Sequence, residues 1–160
     1  MPILTQDGRI AIAKSLAEQP LHLAWGDGDG LWTTTVPPED TEATELMNEL
    51  GRRTVTQVGY VVPDVNGTIE LPTGKFSLSA TPTNHLYLST QFEFSDASSS
   101  VIREIGVCVG SQMVGGLPVG QTYFAPAQVA DPGLLMHVEH FQPIYRSPAI
   151  RESFEIVITF

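Results

Sequence analysis

The sequence predicts an α+β fold, with two N-terminal helices packed on a mostly antiparallel β-sheet or sandwich. Three observations point there. Helical apolar spacing is confined to the stretch before Thr54. From Thr54 onward, short alternating apolar and polar runs take over. Turn residues such as Asn66-Gly67 separate those runs, and no further helical segment does. With 160 residues, 42% of them hydrophobic, the chain is expected to form a single domain, 1–160. A domain of that size buries about 68–70% of its unfolded surface and needs no staples.

The first helix is expected from Gln6 to Glu18. Thr5 can cap it, Asp7 suits its N-terminal dipole, and Ile10, Ala13, Leu16 and Ala17 supply an apolar stripe. Gln19-Pro20 stops it. In "LHLAWG", Leu21, Leu23 and Trp25 alternate as a short strand should, and "GDGDGLW" then reads as a loop. The second helix is expected between Asp40 or Thr41 and Leu50. Acidic residues lead it, Ala43, Leu46, Met47 and Leu50 share one face, and Gly51 and Arg52-Arg53 close it. Strands follow in "TVTQVGYVV", "HLYLSTQFEF", "VIREIGVCV", "QTYFAPAQV", "GLLMHVEHFQPIY" and "SFEIVITF". "SQMVGGLPVG", Ser111 to Gly120, reads as a mobile hairpin loop.

The formal net charge is −10, because Lys and Arg together number only 8. No basic footprint for phosphate contacts exists, so neither nucleic acid nor an anionic membrane is an expected partner. No run of 18 apolar residues is present, and the N-terminus lacks the pattern of a secretory signal. The single cysteine, Cys108, lies in "IGVCVG" and is expected to be a small buried hydrophobe.

Chemistry-bearing patterns fail one by one. Counting from Asp27, the twelfth position of a calcium loop would be Pro38, where a bidentate Glu is needed. "HVEH" read as a strand sends His137 and His140 to opposite faces, so no metal site is expected. There is no G-x-S-x-G elbow and no legible pair of catalytic carboxylates. No catalytic residue, metal or cofactor is expected, and the chain does not read as an enzyme.

In "VIREIGVCVG", strand alternation puts Arg103 and Glu104 on opposite faces, each among apolar neighbours. Buried charge needs a partner. Glu104 should therefore meet a basic group or backbone N–H donors near "ELGRR", with Arg52 the first choice and Arg53 the second. Together Arg52, Arg53, Arg103 and Glu104 form a candidate structural clasp. Gly106 is expected to admit a neighbouring backbone. Trp32, Met113 and Tyr123 are the candidate partner contacts.

Four stretches taken in order, "LTQDGRIAIAKSLAEQPLHLAWGDGD", "TELMNELGRRTV", "VIREIGVCVG" and "SFEIVITF", resemble the N-terminal module of bacteriophage tail-collar and tail-fibre proteins. The matching positions are Leu4, Thr5 and Gly8, then Gly26, Asp27 and Gly28. They continue with Leu46, Asn48, Glu49 and Arg52, and end with Ile102 to Gly106. The resemblance implies assembly without catalysis: attachment domains, acting as homo-oligomers, that bind other baseplate, fibre or collar subunits on the virion. Fibre proteins continue into a shaft, and this sequence shows none after Phe160. The expectation is therefore an adaptor that docks a separate fibre to the tail, assembled in the host cytoplasm. The alternatives are a glycan- or small-ligand-binding β domain of a tail protein and, ranked last, a cell-wall hydrolase.

Overall fold

The structure is a computed structural model describing residues Met1–Phe160. In chain order its elements are α1 (Gln6–Ala17), β1 (Leu21–Gly26), β2 (Glu49–Thr54), β3 (Gln57–Pro63), β4 (Ile69–Leu71), β5 (Gly74–Ser79) and β6 (His85–Phe92). Then come β7 (Val101–Val109), β8 (Gln112–Met113), β9 (Tyr123–Phe124), a 3-10 turn (Pro126–Gln128), β10 (Val129–Asp131), β11 (Leu134–Tyr145) and β12 (Glu152–Thr159). Two compact units result. The first comprises Met1–Gln19, Val55–Thr90 and Ser153–Phe160, the second Pro20–Thr54 and Gln91–Glu152.

In the first unit, the Thr5 hydroxyl accepts from the Gly8 amide at 3.2 Å and starts α1, whose Ala13 is fully buried. The sheet runs in the order β12-β6-β3-β5-β4. Val61, Phe76 and Tyr87 form its core cluster, flanked by Ile69, Leu71 and Val157. Period-two alternation explains the grouping: Leu78 pairs with Val61, Pro63 with Phe76, and Gly59 with Tyr87, so these residues share one face. The Tyr87 hydroxyl donates to Glu155, which satisfies the polar end of a nearly buried ring.

In the second unit, the sheet order is β11-β7-β1-β2-β9, with β10 and β8 as a separate ribbon. β1 lies at the centre, antiparallel to both β2 and β7, and all six of its residues are buried. A strand buried on both faces needs apolar or small residues throughout, and "LHLAWG" meets that everywhere except at His22. Trp25 stacks on Phe92 with ring centroids 3.6 Å apart. Tyr123 meets both rings edge-on, and its hydroxyl accepts from Trp25 Nε1 at 3.2 Å.

The expected pair of N-terminal helices on a sheet is not the fold: the structure is mostly β with one α-helix. The segment predicted as a second helix is a string of turns leading into β2. Its acidic start and apolar face satisfied helix rules, but tertiary contacts override them. Leu46 is buried against Ala24 and Cys108, whereas Met47, on the same nominal helical face, is 62% exposed. Gly51, the expected helix exit, is a strand residue facing Trp25. The stretch from Ser111 is also partly ordered, since Gln112-Met113 pair with β10 as β8.

Candidate functional site

On β7, Glu104 is 1% exposed and Gly26 of β1 lies directly across from it. Its Oε2 accepts from the Met47 amide at 3.0 Å and its Oε1 from the Asn48 amide at 2.9 Å. Charge-assisted bonds to both oxygens make a buried carboxylate tolerable without a cation. They also take the two amides that a helix through Leu46 would have needed. Gly26 is required for space: a Cβ there would lie 2.5 Å from both Glu104 Oε1 and the Asn48 carbonyl oxygen. Gly106 serves a related end, but its nearest neighbours are the side chains of Leu135 and Leu46, ahead of any backbone atom.

Arg103, on the opposite face of the strand, donates from Nε to the Trp32 carbonyl and from Nη1 to the Asp27 carbonyl, each at 3.0 Å. Asn48 adds a 2.6 Å bond from Nδ2 to Asp27 Oδ1. The Asp-Gly loop is thus held from both ends by side chains and encloses no ion-binding ring.

Arg52 does not pair with Glu104. It faces Ala24, two residues along β1 from Gly26, and a bulge separates those positions. Its guanidinium forks onto Glu49 with two 2.7 Å bonds, and Nη1 reaches Ser111 Oγ and the Pro132 carbonyl, each at 2.8 Å. Arg53, turned to the other face, binds Asp96 through Nε and Nη2 and Thr122 through Nη1. The four expected clasp residues therefore serve four separate clasps.

A fifth clasp has no counterpart in the sequence reading. The Arg146 side chain is fully buried, donates to the carbonyls of Glu93, Asp96 and Ile150, and lies 5.1 Å from the Trp25 ring centroid. Its cue was weak. Arg146 follows an apolar run in "FQPIYRSP", but no helical or strand period marks its partners.

The candidate partner contacts differ in what they leave free. Trp32 is 8% exposed, with its ring 4.5 Å from His140. Tyr123 is half-buried and engaged with Trp25, and Met113 is half-buried in β8. Beside Trp32, the loop between β1 and β2 roofs a cavity of about 370 Å³. Pro37, Leu46 and Val138 are among its apolar walls, and Asp40, Glu45 and Glu104 supply carboxylates. The loop is pinned to β11: the His140 amide donates to Glu39 Oε1 at 3.0 Å, which holds that carboxyl below its usual range. In the first unit, a groove of about 710 Å³ is lined by Pro63, Phe76, His85 and Val157 among others.

No group of three or more His, Cys, Asp or Glu side chains converges as a metal site. His22 is buried beside Arg52, and its Nδ1 has no protein partner. Burial, reinforced by the Arg52 charge, lowers its pKa to about 4. Burial raises the Cys108 thiol to about 11, so it is a poor nucleophile at neutral pH.

A family model described as "Baseplate wedge 3 tail fiber network component" matches residues 1–160. The chain belongs to that family. Membership makes the chain a part of the phage baseplate and tail-fibre apparatus, in the virion tail among other proteins of that assembly. No curated protein matches it.

Proposed function

We propose that this chain is a structural, non-catalytic adaptor that docks a separate fibre to the baseplate. The observation that carries the reading is the split between spent polar groups and unspent apolar ones. The buried charges of the second unit, Glu104, Arg52, Asp96 and Arg146, are all bonded inside the chain. Meanwhile large apolar side chains stand in solvent: Leu31 at 84%, Val119 at 106%, Leu134 at 76% and Tyr145 at 72%. Single exposed apolar residues are ordinary, but several on loops and at strand ends suit a part that is covered on assembly.

Fusing a compact electron-dense tag to the chain and imaging tails tests this. The tag is expected where each fibre meets the baseplate. A tag found only elsewhere on the particle contradicts the adaptor reading.

A further inference from the structure

We infer that the cavity under the β1–β2 loop receives a basic side chain, Lys or Arg, from another tail protein. The inference rests on the adaptor reading and names the chemistry of one contact within it.

The cavity, about 370 Å³, is large enough for one long side chain and not for a folded segment. Trp32, Pro37, Leu46 and Val138 give it apolar walls suited to an aliphatic stem. Asp40 and Glu45, both exposed, give it negative charge, Glu104 lies in its wall with both oxygens bonded to amides, and His140 but no Lys or Arg lines it. The two nearby arginines are committed elsewhere. Arg52 is forked onto Glu49, and Arg103 is bonded to two loop carbonyls. The Glu104 carboxylate is held by amides alone, so its charge has no cation within the chain. A chain of net charge −10 adds a favourable long-range field for a cation.

Charge complementarity therefore selects the occupant. An acidic group would meet the exposed Asp40 and Glu45 carboxylates, and a purely apolar one would desolvate them without compensation. A cation seated on Trp32 gains from the ring as well as from the acids. The walls are already in place, because Glu104 and Glu39 pin the loop before any partner arrives.

The decisive experiment is a side-chain-resolution reconstruction of the intact tail. The expected result is a Lys or Arg of another protein within about 4 Å of Asp40 or Glu45, its stem on Trp32. A cavity holding only solvent, or filled by an apolar or acidic side chain, overturns the inference. If this chain sits at the fibre–baseplate junction with that cavity vacant, the adaptor reading survives and the cation site does not. If the chain lies away from the junction, the adaptor reading fails independently.

A variant gives a second readout. Asp40→Asn with Glu45→Gln removes two exposed charges and leaves Glu104 in place. It should melt like the parent yet load onto tails about tenfold less, the scale of one lost charge-assisted contact. Unchanged loading overturns the inference.

Discussion

Glu104 is the residue on which most of the second unit's detail turns. Its two amide bonds replace a helix with a loop, and Gly26 clears the space for its carboxylate. In Glu104→Gln one acceptor oxygen becomes an amide nitrogen, which faces an N–H donor. The cost is expected at about 1–3 kcal/mol. The melting temperature should fall by about 2–4 °C for each kcal/mol lost. Amide exchange at Met47 and Asn48 should accelerate relative to the rest of the chain. A variant with parental melting and exchange would remove Glu104 as a determinant of the fold.

His22 makes a second residue-scale prediction, through pH. Its folded-state pKa, about 4, lies below its ordinary value of 6.5. Between those values the unfolded chain binds the extra proton and the folded chain does not. The stability conferred by keeping His22 neutral is therefore complete above pH 6.5, and it is lost as pH falls toward 4. The shift corresponds to about 3 kcal/mol. Urea titrations at pH 7.5 and pH 4.5 should show a larger loss for the parent than for His22→Leu. Equal losses would mean that His22 does not titrate in this way.

At the scale of elements, the longer strands were legible, while β2, β5 and the absence of a second helix were not. "LHLAWG", "HLYLSTQF", "VIREIGVCV" and "ESFEIVIT" carry their own apolar pattern and fold as strands. The first helix has its cap and its stop within the sequence. Residues 41–50 carry equally good helical signals, but the group that overrules them, Glu104, lies more than fifty residues away. A local reading therefore sees only the propensity. The candidate site was legible in the same uneven way. The need of Glu104 for backbone or basic partners followed from burial and charge. The choice of amides over Arg52 depended on a register and a bulge that no spacing reveals.

Arg146 joins elements rather than neighbours, so its prediction belongs here. Its guanidinium satisfies carbonyls beyond β6 and beyond β11 while facing Trp25. Lysine keeps the charge but not the fork. Arg146→Lys should cost roughly 2 kcal/mol or more, at about 1–3 kcal/mol for each buried carbonyl left unpaired. Chemical denaturation measures it directly, and a loss under about 0.5 kcal/mol, the scale of a neutral surface change, would contradict the assignment. β11, an edge strand of its sheet, is partly shielded by Glu39 on its His140 amide and by Gln142, which bonds the Thr34 carbonyl. That cover limits unplanned pairing along an exposed edge.

For the whole molecule, each unit carries its own sheet and its own polar ties. In the second unit the buried charges are bonded internally, while Asp40 and Glu45 at the loop cavity and several large apolar residues are exposed. That division of labour suits a component of a tail-fibre network, which must hold its shape before its partners arrive. The most direct test of the adaptor role is a count of fibres on tails assembled without this chain, imaged by electron microscopy. The account predicts baseplates that form but lack fibres, with attachment restored when the purified chain is added. Tails that lack the chain and still carry their full set of fibres would contradict it.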